Sequence, residues 1–510
     1  MTDAPLIGYT ESLDVAAGGR LSVHVSAPAG PFNARLVTLA STIDKQAAVP
    51  SHFEGRYSAA EYPIVPGSYM AVPLGVPCPH LPKITLWIWP TRPVDGREQA
   101  LLCWGADHGL FLDATGRLVA RWGAARITSA EPILSHRWSA LRLDCTDGNL
   151  HLAILTRDGG ERHSNGTAPL GTEEARPPPA AFRIAAMAEG AGFYDGKIAR
   201  PCISDGDLPL ANWAFDAASP GSTVPDQSPS ARHGLLLQGP QIGMTGPDWS
   251  GDTNGWREAP DQYDAIAFHS DDLSDAGWPA AFTFEPPPSL PSGAYGIEIR
   301  NGDQRDVLPV FVRPAPKAKP APLAFIVPTF SYLAYANERH WWSNPAVEAI
   351  AGAPLDAIVG PFERWGEKRR LLSAYDYHHD GSGNAHASSR RPLVNMRADY
   401  VHPLLRGPHQ LSADILTIEW LRSIGQPFDL LTDHDLHERG VAALAPYRAV
   451  MTGSHPEYVS REIFDAVECY VADKGRLIHL GGNAFYFVTS LFPEEPYRIE
   501  VRRGFAGTIP

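Results

Sequence analysis

The sequence predicts a multidomain protein, β in its first part and α/β in its last. Three observations carry that reading. Short apolar runs separated by turn residues fill the first 313 positions. The segment Pro314 to Pro322, Pro-Ala-Pro-Lys-Ala-Lys-Pro-Ala-Pro, has the composition of an extended, semi-rigid linker. Beyond it, residues 447–483 spell a βαβ unit: the apolar runs Ala449 to Met451 and Arg476 to Leu480, ended by Gly453 and by Gly481 and Gly482, flank a helical pattern.

Residues 1–75 are expected to begin an amino-terminal β-sandwich, since Arg20 to Ser26 alternates as a half-buried strand does. Residues 76–258 continue with Ile84 to Trp89, Gly109 to Leu112, Leu118 to Trp122, Trp138 to Leu143 and Leu150 to Leu155. Short strands at that spacing, joined by Asp-Gly and Thr-Gly turns, predict a sandwich or barrel. Their order, with Phe193 to Ile198 and Trp213 to Asp216, resembles a laminin-G or concanavalin-like jelly roll. Such sandwiches serve as sugar binders or as structural insertions, and no acidic cluster here marks a calcium site. The Pro-, Gly-, Ser- and Asp-rich stretch 217–260 is expected to form long loops. Strands at Tyr295 to Arg300 and Val307 to Val312, within 259–313, are expected to complete the first sandwich and make the jelly roll an insertion in it.

In residues 323–510, Leu323 to Val327 predicts a buried strand and Phe428 to Leu431 another. Ser412 to Ile424, which contains Ile415, Leu416, Ile418 and Leu421 and is ended by Gly425, predicts a helix. A second helix runs from its cap Ser460 to Lys474, with Ile463, Phe464, Val467, Tyr470 and Val471 recurring at helical spacing and Gly475 as terminator. The sum is a Rossmann-like or flavodoxin-like sheet, which binds ligands outside the carboxyl ends of its strands, where His455, Glu457 and Asn483 fall. Gly-Ser-His-Pro and Gly-Gly-Asn are equally ordinary turn sequences.

The formal net charge of −14 over 510 residues, with no Lys/Arg run, argues against nucleic acid as the main partner. No stretch reaches the ~18 apolar residues of a membrane helix, and the amino terminus lacks a basic segment followed by an apolar one, so a cytoplasmic protein without a membrane partner is expected. Five cysteines without a Cys-x-x-Cys pair indicate neither a disulfide framework nor a thiolate zinc site, and most are expected to be buried. Gly453-Ser-His-Pro456 is not a nucleophile elbow, and Cys469 falls inside the second helix, so a class I amidotransferase mechanism is not expected. Ten of the nineteen histidines lie beyond residue 322, a concentration compatible with a metal or acid/base site.

Several segments in series are specific: Ser331 to Glu338 (Ser-Tyr-Leu-Ala-Tyr-Ala-Asn-Glu), Tyr375-Asp-x-His-x-Asp-Gly381, Arg390 to Arg397, Leu411 to Asp414, Thr432 to Asp435 and Thr452 to Tyr458. Together they resemble the N,N-dimethylformamidase large (beta) subunit family, from Gly8-Tyr9-Thr10 to the end of the chain. The resemblance implies a β-sandwich with a jelly-roll insertion followed by a class I amidotransferase-like α/β domain. Against that pattern the last domain reads as incomplete at its carboxyl end.

The same resemblance implies one non-haem Fe3+ held by Tyr335, Tyr375 and Glu457, with His455 and Asn483 as catalytic residues. Phenolate and carboxylate are hard anionic oxygens that favour such an ion, and three protein ligands leave positions open. The histidine would relay protons and the carboxamide would donate to the developing oxyanion. The activity implied is hydrolysis of the C–N bond of N,N-dimethylformamide or a related small N-substituted formamide to formate and an amine, with a small accessory subunit and homo-oligomers as possible partners. Tyr377 departs from the family, which has a small residue there. The alternative is a non-catalytic carbohydrate- or protein-binding module that uses the jelly roll.

Overall fold

Alternating and continuous apolar runs build seven sheets in the computed structural model, which describes residues 4–156, 161–170, 176–187, 190–216, 221–339, 346–354 and 359–502. The protein is mostly β, multi-sheet and sandwich-like, with few helices. Two compact units share the chain. One comprises Met1–Ile64, Ser274–Asp376 and Asn384–Val501, and the other Val65–Leu273, Tyr377–Gly383 and Arg502–Pro510.

The second of these units consists of two eight-stranded antiparallel sheets. Strand Pro82–Pro90 shows the logic: Ile84, Leu86 and Ile88 are buried, while Lys83 and Thr85 between them face out. Inward residues of both sheets share one core with Leu102, Leu141 and Ile198. At its centre Phe182 lies 4.8 Å from Trp104 and stacks on Trp213 at 5.5 Å, contacts worth about 0.5–1.5 kcal/mol each beyond area burial.

The stretch 217–260 is not the long loop that its composition suggested. Thr223–Val224, Gly234–Leu237 and Gln241–Met244 are strands, and the last pairs with Ala265–Phe268. Turn residues occupy the connections, while short apolar words bury Val224, Leu236 and Met244 in the sheets.

In the other unit a three-stranded and a six-stranded sheet enclose Val23, Phe32, Phe284, Ile297 and Val310. A four-stranded parallel sheet follows, in the order Phe428–Thr432, Leu323–Val327, Ala449–Thr452, Arg476–Ile478. Chain order is therefore 2-1-3-4, reversing between Leu323–Val327 and Ala449–Thr452, the position at which doubly wound sheets bind ligands. A buried pair ties this region to the six-stranded sheet: Arg397 donates to both oxygens of Asp306, at 2.6 and 2.9 Å. Removing either partner would strand a buried charge, at a cost of about 3–5 kcal/mol.

Helix Leu411–Ser423 closes at Gly425, whose φ of +68° lets Gln426 N–H reach Leu421 O at 3.0 Å. Helix Arg461–Ala472 is capped by Ser460 Oγ, which accepts from Ile463 N–H. Its buried stripe is Ile463, Ala466, Val467 and Tyr470, and Phe464 and Val471 flank it, 48% and 45% exposed. A single packed face of about 100° has no room for those two. Lys474, not Gly475, takes the positive φ after this helix. Gly475 is required for another reason, because a Cβ there would sit 2.5 Å from the Tyr470 ring. The following strand is shorter than expected and ends at Ile478.

Cys78 and Cys103 are buried, Cys145 and Cys202 half-buried and Cys469 exposed, all as free thiols. Fewer are buried than expected because Cys469 lies outside the packed stripe of its helix. Among the described residues, no helix is long and apolar enough to cross a membrane.

Candidate functional site

Three connections at the carboxyl edge of the parallel sheet converge. Strand Leu323–Val327 runs through Pro328 into helix Thr329–Tyr335, which ends on Tyr335. Ser331 on that helix accepts from the backbone N–H groups of Glu457 and Tyr458 at 3.1 and 3.2 Å, and so pins the turn after strand Ala449–Thr452. Asp414, buried on helix Leu411–Ser423, accepts from Tyr332 Oη and from Ser454 N, both at 2.5 Å. The approach is close enough to require Gly453, where a Cβ would lie 2.5 Å from Asp414 Oδ2 and 2.6 Å from Pro328 Cδ. Tyr375 is presented by a turn closed on Asp376, whose Oδ2 accepts from both Ser373 N and Ser373 Oγ at 2.8 Å.

The expected ligand residues come together. Tyr375 Oη donates to Tyr335 Oη at 2.6 Å, Tyr335 Oη donates to Glu457 Oε2 at 2.7 Å, and Tyr375 Oη is 3.5 Å from the same carboxylate oxygen. His455 Nε2 lies 2.9 Å from Glu457 Oε2 and 3.4 Å from Tyr335 Oη. Asn483, exposed on the loop beyond Arg476–Ile478, brings Nδ2 to 3.5 Å from His455 Nε2. Tyr377 is 64% exposed.

Burial raises the Tyr335 phenol far above its ordinary range, and its hydrogen bonds to Glu457 and Tyr375 raise it further. Glu457 moves the other way. Burial opposes its charge, but hydrogen bonds from His455, Tyr335 and Tyr486 outweigh that and bring it down to about 2. The centre thus holds an anionic carboxylate beside the neutral phenol of Tyr335.

Two tyrosines escaped the sequence reading. Tyr458 Oη donates to Tyr375 Oη at 2.6 Å, and Tyr486 Oη donates to Glu457 Oε1. Tyr458 ends the Thr452 to Tyr458 motif, whereas Tyr486 lies three residues beyond Asn483 and outside every segment singled out.

Glu338, His402 and His409 escaped as well. Glu338 Oε1 lies 3.3 Å from His402 Nε2 and 3.3 Å from His409 Nδ1. Burial opposes the Glu338 charge, yet the two imidazoles bring it down to about 2. The His409 ring stands edge-on to Tyr335 at 5.1 Å and 6.0 Å from His455, forming one wall of the centre. In the other unit His269, Asp272 and His378 are buried together. His269 is pushed up to about 10: burial opposes its charge, but Asp272, Asp380 and Asp271 favour it by more. The ligand atoms of each set lie within 4.8 Å of one another, a spacing that could hold a metal ion.

Fold and site define a class: a β-rich protein with a parallel sheet, bearing a convergent oxygen and imidazole centre outside the sheet's carboxyl edge. Comparison with known proteins places it further. Residues 241–508 match the family described as N,N-dimethylformamidase beta subunit-like, C-terminal. The chain is 30% identical to the N,N-dimethylformamidase beta subunit of Alcaligenes sp over 99% of its length and 74% of the relative's. Identity and coverage are the same against the beta subunit of that enzyme from Paracoccus aminophilus. The chain belongs to the N,N-dimethylformamidase beta subunit family. Among solved structures, a putative carbohydrate binding protein from Bacteroides ovatus matches 45% of this chain and 96% of its own at 11% identity and a TM-score of 0.26, too low to carry weight.

Proposed function

We propose that the chain is an iron-dependent amidohydrolase that cleaves the C–N bond of N,N-dimethylformamide or a related small N-substituted formamide. Water and the amide give formate and the corresponding amine. The observation that carries this reading is the meeting of Tyr335, Tyr375 and Glu457 oxygens within 3.5 Å at the sheet edge.

The donor set fits Fe3+. All three atoms are hard oxygens, one already anionic, and their spacing is close to the ~2.8–3.4 Å between neighbouring ligands on bonds of ~2.0–2.1 Å. A trivalent charge would offset the burial that keeps the Tyr335 phenol protonated. Bound there, the ion would supply Lewis acidity toward the amide carbonyl or water. His455 takes the proton from the attacking water at Nε2 and returns it to the departing amine nitrogen. Asn483 Nδ2 donates to the amide oxygen as negative charge builds on it. Glu338 fixes the His409 ring against Tyr335, and Ser331 and Asp414 hold the His455 turn in register.

Three further readings belong with this proposal. The unit with two antiparallel sheets is a laminin-G or concanavalin-like jelly roll, and the parallel-sheet region a class I amidotransferase-like domain over 323–510. The protein acts in the cytoplasm. A small accessory subunit and self-association are its expected partners, which the name beta subunit of the relatives supports. Formate release from N,N-dimethylformamide by iron-loaded protein tests the function. Release above the rate of the Tyr335→Phe variant is expected, and equal rates would reject it.

A further inference from the structure

Hydrogen bonding separates the two histidine groups. Leu405 N–H donates to His402 Nδ1 at 3.3 Å, so the proton of neutral His402 is on Nε2, toward Glu338. That arrangement leaves no lone pair for a metal. In the other unit the opposite holds. His378 Nδ1 lies 2.8 Å from Asp271 Oδ1, a bond that uses its N–H and leaves Nε2 a bare acceptor. His378 is 1% exposed, its Nε2 makes no hydrogen bond, and the nearest carboxylate oxygen, Asp272 Oδ1, is 3.7 Å away. Ser382 Oγ gives its proton to Asp380 at 2.5 Å, so it accepts from His269 Nε2–H at 3.1 Å. His269 Nδ1 holds the ring's other proton toward Asp272 Oδ2 at 3.3 Å, and an ion bound there would take the place of that proton.

We propose that His269 Nδ1, His378 Nε2 and the Asp272 carboxylate bind a divalent first-row cation of the zinc class. Two imidazoles and one carboxylate are the usual borderline donor set for such ions. Asp271 behind His378, and the Ser382–Asp380 pair behind His269, are the outer hydrogen-bond partners that metal-bound imidazoles characteristically have. Charge points the same way, since Asp271, Asp272 and Asp380 are each buried to 3% exposure or less. Asp380 Oδ2 makes no hydrogen bond. The two rings stack 3.8 Å apart and 3° from parallel, so binding turns each about its Cβ–Cγ bond to aim at a common point beside Asp272. The ion would join the loop Ala265–Phe268 leads into with the segment Tyr377–Gly383 of the same unit.

The test is Co2+ titration of the metal-free full chain, read by ligand-field absorption and by the shift in Tm. The decisive protein is Tyr335→Phe/Tyr375→Phe, which lacks the phenols of the iron centre proposed above. It is expected to bind one Co2+ with a nitrogen-bearing ligand field and to gain Tm. In the same background, His269→Gln and His378→Gln each weaken binding at least tenfold, and Asp271→Asn, which touches no metal, weakens it about 10- to 100-fold. No ligand-field band and no gain in Tm in the tyrosine variant would overturn the proposal without any histidine variant. Binding that survives all three exchanges would also overturn it. Failure of the iron reading leaves these outcomes unchanged.

Discussion

The hydroxyl oxygens of Tyr335 and Tyr375 lie 2.6 Å apart, although one phenol ends a helix and the other tops a turn 40 residues later. Glu457 Oε2 accepts from the first at 2.7 Å and sits 3.5 Å from the second, and Tyr458 and Tyr486 brace the set from behind. Five side chains from four segments therefore present oxygen toward one point. Such a convergence of oxygens beside one charged carboxylate is the arrangement that the proposed hard cation would require.

Glu457 is the one carboxylate in that set. Glu457→Gln keeps the size of the side chain but removes the charge that offsets a hard cation, so iron per chain should fall well below wild type. Metal analysis after reconstitution measures this, and full occupancy would mean that Glu457 is not a ligand.

His455 is assigned proton transfer rather than coordination, though its Nε2 lies 2.9 Å from Glu457. His455→Ala should keep iron and colour while turnover falls roughly 10²- to 10⁴-fold, the usual contribution of a positioned general base. Loss of iron would instead make it a fourth ligand.

Asp414 holds the His455 turn through Ser454 and helix Thr329–Tyr335 through Tyr332. Asp414→Ala strands both buried donors and should cost about 2–4 kcal/mol in denaturant unfolding. Activity should drop with it, since the turn that carries His455 loses its anchor. An unchanged midpoint would show that the turn stands without Asp414.

Asp433 offers a pH test away from the centre. Burial pushes its carboxyl up to about 8, the hydrogen bond from Phe330 N opposes that, and the Asp414 charge adds to the rise. The folded state thus holds this proton more tightly than the unfolded one. The stability it contributes is complete below about pH 4 and is lost as pH rises toward about 8. Asp433→Asn keeps an acceptor for Phe330 N–H and never ionises. It should raise Tm by a few degrees at about pH 8 and change little at about pH 4. Equal effects at both pH values would count against a raised Asp433.

The strands and helices of the parallel sheet were readable because Leu323–Val327 is uniformly apolar and Ser460 and Gly425 mark helix ends by local chemistry. Helical spacing alone does not separate the one packed stripe of helix Arg461–Ala472 from its flanks, since Phe464 and Val471 share the apolar recurrence yet lie half exposed. Nor could residue windows see that words as short as Gly234–Leu237 find partners far away in sequence. At the centre, Tyr335, Tyr375, Glu457, His455 and Asn483 were legible through motif order. Tyr486, Glu338 and His409 were not, because what marks them is a contact across the fold rather than a spacing along the chain.

Iron content with the visible spectrum tests the central claim most directly. Reconstituted wild type should carry about one iron per chain and show a broad phenolate-to-iron absorption band, and Tyr335→Phe/Tyr375→Phe should lose the band. A colourless wild type after reconstitution, or a band that survives loss of both phenols, would contradict the account.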